Sequence, residues 1–240
     1  IENLTQSQGI REIYPAWSPD GKYISYFSDA TGEYEIYLLD NKKGAKARQL
    51  TSNSAAWKYE AEWSPDSRYM LYSDRTLKLW LLDVQTGIQK EVTKGANSEI
   101  RAYGFSPDSK WITYQKEGSN EQAAVWVYNI ADSKNYQITD NSFDDVSPVF
   151  SKDGNYIFFA SNRDFNLAFS SFEFNYLYNK ATRIYAVVLK ADGPKLTKDK
   201  NDVEEVKDAV KTDEPKKEKK AKPDAKEEKK DEGVKVVIDM

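Results

Sequence analysis

One sequence pattern occurs four times in this chain, and this repetition constrains the possible folds more than any other feature. The pattern is an aromatic residue followed by Ser-Pro-Asp-Gly or a close variant, and it starts at Trp17, Trp63, Phe105 and Phe150. The spacings between these aromatic residues are 46, 42 and 45 residues. A second pattern, an aliphatic residue followed by Thr, lies 12 or 13 residues earlier each time and starts at Leu4, Leu50, Val92 and Ile138. Two patterns in phase over four copies predict four copies of one supersecondary unit.

Each unit is predicted to contain four short β-strands. The aromatic residue ends the first strand, and Ser-Pro-Asp-Gly forms a tight turn because proline presets φ at the second turn position. The segments around these turns are short and rich in Tyr, Trp, Ile and Val, which is typical of strands. One of them, 156–160, is apolar on both faces. A strand of this kind belongs to a sheet that is covered on both sides.

Covered sheets in units of this length predict an all-β fold, a β-propeller made of four-stranded blades. An immunoglobulin-like sandwich fits less well, because it would leave one face of each sheet polar. The predicted blades are about 1–45, 46–90, 91–135 and 136–190. A closed disc of four blades is one option, since propellers close with typically four to eight blades. The start at Ile1 and the apolar last segment favour an incomplete arc of a larger propeller.

Two segments of different character follow the predicted blades. Residues 191–233 hold 13 Lys and 14 acidic residues among 43 and no aromatic residue, so they cannot form a core. They are predicted to be a charged, disordered or partly helical spacer. Residues 234–240 form an apolar alternating run and predict the start of a further, truncated strand. We therefore expect the chain to be a piece of a longer protein.

The fourth unit departs from the repeat between its second and third strands. An insertion from 166 to about 181 replaces a connection of a few residues and carries Phe169, Phe172, Phe174, Tyr176 and Tyr178. Long aromatic loops on a rigid scaffold can form contact surfaces. The alternative, which the sequence favours, is that these side chains cover a blade edge or pack on a neighbouring domain.

The chain contains no His and no Cys. This excludes Ser-His-Asp and Cys-His catalytic systems and removes the main ligands of zinc and haem sites. Asp140, Asp144 and Asp145 could offer oxygen ligands to calcium, but their spacing is not that of an EF-hand and an inter-blade loop explains them. The sequence therefore predicts no catalytic, cofactor-binding or metal-binding residue, and no cofactor. The repeated aromatic residues and the aspartates of the turns are assigned to the fold.

The charge and hydropathy patterns exclude two further classes of partner. The formal net charge of −4 is small and spread along the chain, which argues against a nucleic-acid-binding surface. The longest apolar runs, such as 184–189, are far too short to cross a bilayer as a helix. We therefore expect no nucleic acid partner and no membrane span.

The segment 17–24, the strand that ends in Leu38-Leu39-Asp40 and the pair Leu50-Thr51 resemble the WD40-like propeller repeats of the TolB and tricorn protease families. This match covers residues 1–160 and specifies the fold, not the function. A narrower resemblance lies in the order of 161–166, then 182–185, then a Lys/Glu-rich excursion and then 236–239. This order resembles bacterial tricorn-like peptidases, in which it falls late in a propeller ahead of the protease domains.

The resemblance to tricorn-like peptidases implies a role without catalysis. Proteins of that family are large serine peptidases with two propellers, a PDZ-like domain and a catalytic domain, and their propellers are thought to admit and guide peptides. This chain is thus expected to guide or filter peptides towards a catalytic domain outside it, so no catalytic residue can be transferred to it. The implied partners are peptides or unfolded polypeptide and other domains of the same protein, with a homo-oligomer as one option. Family habit favours the periplasm or cell envelope over the cytoplasm.

Two other hypotheses remain open at the level of sequence. The chain could be a TolB-like, protein-binding propeller of the cell envelope without an enzyme domain. It could also be the propeller gate of a prolyl-oligopeptidase-like enzyme. The sequence that follows residue 240 separates them: PDZ-like and serine-peptidase domains indicate the tricorn type, an α/β-hydrolase elbow the prolyl-oligopeptidase type, and an early stop codon neither.

Overall fold

A computed structural model describes residues 3–52, 54, 56–164, 167–178, 180–197 and 234–239. All regular secondary structure within these residues is β-strand, arranged in antiparallel sheets that follow one another along the chain. The prediction of an all-β fold is confirmed. Most of the predicted charged spacer, from residue 198 onwards, lies outside the described residues. In the described part of the chain, no helix is long and apolar enough to cross a membrane.

The first three sheets have four strands each, hydrogen-bonded in chain order. The first sheet contains β1 (Glu12–Trp17), β2 (Tyr23–Ser28), β3 (Glu35–Asp40) and β4 (Arg48–Gln49). The second sheet contains β5 (Glu62–Trp63), β6 (Tyr69–Ser73), β7 (Lys78–Asp83) and β8 (Gln89–Lys94). The third sheet contains β9 (Tyr103–Phe105), β10 (Trp111–Glu117), β11 (Ala123–Asn129) and β12 (Lys134–Gln137). Each sheet is therefore a simple meander whose first strand is a free edge.

The fourth sheet has three strands instead of four. It contains β13 (Asp145–Phe150), β14 (Tyr156–Ser161) and β17 (Arg183–Val188), and a separate hairpin of β15 (Leu167–Ser170) and β16 (Asn175–Tyr178) is inserted between β14 and β17. Segment 234–239 does not form a regular strand, but the backbone N–H of Asp239 donates to the carbonyl of Leu189 at 2.9 Å. This segment therefore lies beside the end of β17. The predicted blade boundaries and the further strand at 234–240 stay predictions.

The repeated turn has the same side-chain hydrogen bonds in all four sheets. In the first sheet, Ser18 Oγ donates to Asp20 Oδ1 at 2.7 Å and accepts from the N–H of Tyr23 at 2.9 Å. Asp20 Oδ1 also accepts from the N–H of Lys22 at 3.1 Å. Corresponding bonds are made by Ser64, Ser106 and Ser151. Serine and aspartate recur because they satisfy backbone N–H groups that a tight turn leaves without partners.

In the second and third sheets, the last residue of the turn connects the sheet to the one before it. Ser67 Oγ accepts from the N–H of Asp20, and Ser109 Oγ accepts from the N–H of Asp66, both at 3.0 Å. The fourth unit has Gly154 at this position, with φ of +71°, and a Cβ atom there would lie 2.9 Å from Val236 Cγ2. Glycine therefore makes room for segment 234–239, which packs where the two preceding units carry a serine side chain.

Cores form between successive sheets. Between the first and second sheets, Phe27, Ile36 and Leu38 pack against Trp63 and Met70. Corresponding cores lie between the second and third sheets and between the third and fourth sheets. The indole N–H of Trp63 donates to Ser25 Oγ of the preceding sheet at 2.9 Å. The repeated aromatic residue is thus the side chain by which one sheet packs on the sheet before it.

The outer faces of the first and last sheets are exposed. Trp63, Phe105 and Phe150 are buried, whereas the equivalent Trp17 is 56% exposed because no described sheet precedes its own. At the other end, Ile184 of β17 is 81% exposed, although the equivalent Ile36, Leu79 and Val125 are fully buried. The described sheets therefore form an incomplete propeller, as the sequence predicted.

These two environments of one repeated residue allow a matched test of stability. Trp63→Ala should lower the free energy of unfolding by about 3–5 kcal/mol, because it leaves a cavity between two sheets. Trp17→Ala should lower it by about 1 kcal/mol or less, since the side chain is largely exposed. Urea denaturation followed by circular dichroism measures both values, and equal losses would contradict the packing described.

Candidate functional site

The first strands of the first three sheets converge on one pocket of about 610 Å³. It is lined by Tyr14, Tyr59, Glu60, Ala61, Glu62, Arg101 and Tyr103. Tyr14 lies in β1, Glu62 in β5 and Tyr103 in β9, so three consecutive sheets each contribute one strand. Blades of a propeller surround a central channel. The shared pocket therefore identifies the first strands as the inner strands, and the pocket as part of the channel wall.

Glu62 is the most perturbed acid of this pocket. A Cβ atom at Gly104 of β9 would lie 3.6 Å from Glu62 Oε1, so the carboxylate faces the third sheet where that sheet has no side chain. Solvent still reaches the carboxylate, but the concave wall removes part of its hydration shell. This desolvation raises the pKa of Glu62 from its ordinary value of 4.5 to about 7. Glu62 therefore changes its charge near neutral pH.

Two lining residues of the pocket, Tyr59 and Arg101, form a cluster with Glu99. Arg101 stacks on the Tyr59 ring, with Cζ 3.4 Å from the ring centroid, and its Nη2 is 2.7 Å from Glu99 Oε2. The Tyr59 hydroxyl also donates to Glu99. The hydrogen bond from Tyr59, followed by that from Arg101, lowers the pKa of Glu99. A hydrogen bond to Tyr59 raises the pKa of Arg75, a second cation beside this cluster.

Glu60 and Glu62 are the two acidic residues that line the pocket. The hydroxyl of Tyr103 donates to the backbone carbonyl of Glu60 at 2.8 Å. Desolvation raises the pKa of Tyr103, so this hydroxyl keeps its proton at neutral pH. In the residues that the structure describes, no ion pair includes Glu60 or Glu62. The neighbourhood of the pocket therefore combines the Arg101–Glu99 ion pair with two carboxylates, Glu60 and Glu62, that have no ion pair among the described residues.

The aromatic insertion of the fourth unit forms the β15–β16 hairpin, in which Phe169 pairs with Tyr176. Four of its aromatic side chains, Phe169, Phe172, Phe174 and Tyr176, are exposed, Phe172 by 92%. At the base of the hairpin, Arg183 pairs with Asp164. Among the described residues, these aromatic side chains cover no blade edge. A contact surface and packing on a neighbouring domain both stay predictions.

The aspartates considered for calcium have separate partners. Asp145 is buried and accepts two hydrogen bonds from Arg163, at 2.8 and 2.9 Å, while the Arg163 guanidinium lies 4.6 Å from the ring centroid of Tyr185. Asp140 accepts from the N–H of Ser142, and Asp144 from the N–H of Ala123. Within the described ranges, no group of three acidic residues could hold a metal ion. Asp145 instead fixes the start of the hairpin connection through Arg163.

Sequence reasoning did not find the channel pocket. One signal was available: Glu62 directly precedes a repeated aromatic residue, where the other units have Ala16, Gly104 and Val149. A charged residue at an otherwise apolar or small repeat position indicates a role outside the fold. Its neighbours Tyr59 and Arg101 carry no such mark, because they belong to irregular connections between units.

The fold and its channel pocket define a class, an incomplete β-propeller whose inner strands line an open pocket. Comparison with family models identifies the family: the model of the tricorn protease second beta propeller domain matches residues 1–238 of this chain. The chain belongs to this family. The resemblance to tricorn proteases that the sequence indicated is therefore confirmed.

Individual relatives agree with this assignment. The tricorn protease of Thermoplasma volcanium is 27% identical over 177 residues, which cover 71% of this chain and 16% of that protein. A TolB homologue of Chlorobium chlorochromatii is 32% identical over 146 residues, which cover 60% of this chain and 32% of that protein. The crystal structure of the tricorn protease matches 80% of this chain and 19% of its own, with a TM-score of 0.70 and 16% identity. This chain thus spans only a small part of its relatives.

The raised pKa of Glu62 predicts a dependence of stability on pH. A carboxyl group whose pKa is higher in the folded state stabilises that state below the unfolded pKa, and this contribution is lost as the pH rises through the folded pKa. Between about pH 4.5 and 8, the unfolding free energy of the unmodified chain should therefore fall relative to that of Glu62→Gln. Urea denaturation at several pH values measures both curves. The exposed Glu33→Gln should follow the unmodified chain, and a Glu62→Gln curve parallel to both would show that the pKa is not raised.

Proposed function

We propose that this chain is the non-catalytic propeller part of a tricorn-like serine peptidase, in which it guides or filters peptides on their way to a catalytic domain outside the chain. The observation that carries the proposal is the channel pocket, which three inner strands build together. Membership of the second-propeller family supports it. The peptidase activity itself belongs to the proposed whole protein.

The pocket suits an extended peptide in three respects. Its volume of about 610 Å³ lies within the roughly 300–1,000 Å³ of typical ligand sites. Tyr14, Tyr59 and Tyr103 offer ring faces together with hydroxyl groups, which is the mixture that accepts varied side chains. The inner strands β1, β5 and β9 are free sheet edges, and backbone groups on such edges can pair with an added extended segment.

The chemistry of the pocket supports passage and not cleavage. Without His or Cys in the chain, its acids, arginines and tyrosines cannot form the usual activated nucleophile of a peptidase. Glu99 and Arg101 neutralise each other, and the tyrosine hydroxyls serve as hydrogen-bond donors. The purified chain should therefore leave chromogenic peptides intact. Turnover that persists after inhibitors have excluded contaminating peptidases would contradict this expectation.

A second candidate function is the protein-binding propeller of the TolB type. It is favoured by the exposed hairpin, whose aromatic side chains could contact another protein, and by the similarity to a TolB homologue. The two candidates place the contact surface at different sites. The proposed function places it at the channel pocket, and the alternative places it at the hairpin.

One pair of variants separates these sites. Isothermal titration calorimetry with a short, unstructured, capped peptide measures the affinity. Tyr14→Ala should weaken binding by about fivefold or more, because truncation of a contact tyrosine typically costs more than ~1 kcal/mol. Phe172→Ala, at the tip of the hairpin, should leave the affinity unchanged. The reverse result, or no measurable binding by the unmodified chain, would overturn the proposal.

A further inference from the structure

We propose that the channel pocket selects peptide segments that carry a positively charged side chain, Lys or Arg, and that Glu60 and Glu62 accept this charge. This inference rests on the proposed peptide-guiding function and names the substrate class of the same site. It does not follow from the fold, because the other units have no acid at the position of Glu62.

The distribution of charge in the pocket is the first argument. Arg101 is paired with Glu99, so this cation leaves little free charge in the pocket. Glu60 and Glu62 also line the pocket, without an ion pair in the described part of the chain. A ligand cation would supply a partner for these two carboxylates, whereas a ligand carboxylate would add a third negative charge.

The surroundings of Glu62 are the second argument. The Glu62 carboxylate faces Gly104, and the wall of the pocket removes part of its hydration shell. A cation interacts more strongly with a carboxylate that has lost part of its hydration than with one in bulk water. Partial desolvation, together with the lack of an ion pair among the described residues, therefore favours a ligand cation beside Glu62.

The aromatic lining is the third argument. Tyr14 and Tyr103 line the pocket together with Glu60 and Glu62. Tyrosine rings attract Lys and Arg through cation–π contacts and also cover the aliphatic part of these long side chains. One side chain of the pocket already makes such a contact, since Arg101 Cζ lies 3.4 Å from the centroid of the Tyr59 ring. A ligand Lys or Arg can use the remaining tyrosine faces in the same way.

Three capped peptides that differ only in a central Lys, Met or Glu test the selection. Isothermal titration calorimetry with the 240-residue chain should give a Lys peptide that binds about tenfold more tightly than the Met peptide, which has a similar length without the charge. The Glu peptide should bind more weakly than the Met peptide. Equal affinities for all three would overturn the selection but leave the peptide-guiding function intact. Absence of binding by all three would overturn both.

The variant Glu62→Gln should reduce the affinity for the Lys peptide to about that for the Met peptide, whereas Glu33→Gln should change neither. Circular dichroism establishes that each variant is folded. If Glu62→Gln does not fold, Glu60→Gln replaces it, with a smaller loss of the same preference expected. Lys preference that survives in the folded variant would overturn the assignment.

A measurement on the unmodified chain provides an independent test. A bound ammonium group should favour the charged form of Glu62, so binding should release a proton near neutral pH, and the affinity for the Lys peptide should rise between about pH 6 and 8. The other titratable groups that line the pocket with Glu62 are Tyr14, Tyr59, Glu60, Arg101 and Tyr103. The raised pKa of Tyr103 keeps it protonated in this range. Affinity for the Lys peptide that does not vary with pH would count against Glu62 as the acceptor.

Discussion

The structure depends on one constraint: each sheet is apolar on both faces and must be covered on both sides. Ile36 and Leu38 of β3 are buried on the face towards the second sheet, while the opposite face of the same sheet carries Trp17. A single sheet of this kind would expose a large apolar area, which costs about 25 cal/mol for each Å². Stacking sheets one after another removes this cost, and it also sets the position of every other feature.

Two kinds of contact hold neighbouring sheets together. Near the turns, the side chains of Ser67 and Ser109 accept hydrogen bonds from the turn of the preceding sheet. Between the sheets, an aromatic residue such as Trp63 packs on the sheet before it and donates to a serine there. Because the same contacts recur, successive sheets are related by a similar rotation, and their first strands meet at the inner edge. The channel pocket is a consequence of this convergence.

The pocket acquires chemistry through departures from the repeat. Glu62 replaces a small or apolar residue, and Gly104 leaves the space that its carboxylate faces. Tyr59, Glu99 and Arg101 come from connections between units, where the repeat imposes no residue type. The inner edge can therefore carry a partly desolvated carboxylate, because the cores between the sheets provide the stability of the stack. The exposed hairpin is a second departure, held at its base by Asp164 and Arg183.

The sequence by itself determined the repeat and the strand content, and it favoured an incomplete ring over a closed disc of four blades. Trp17, Trp63, Phe105 and Phe150 recur at a near-constant spacing, and a local turn motif with fixed hydrogen bonds leaves few alternatives. It also determined the absence of His- and Cys-based catalysis, which is a matter of composition. Only the tertiary structure decided which of the four aromatic residues stay exposed, since that depends on whether another sheet covers them. It also decided the channel pocket, because Tyr14, Glu62 and Tyr103 are far apart in the chain and come together only when three sheets stack around a common axis.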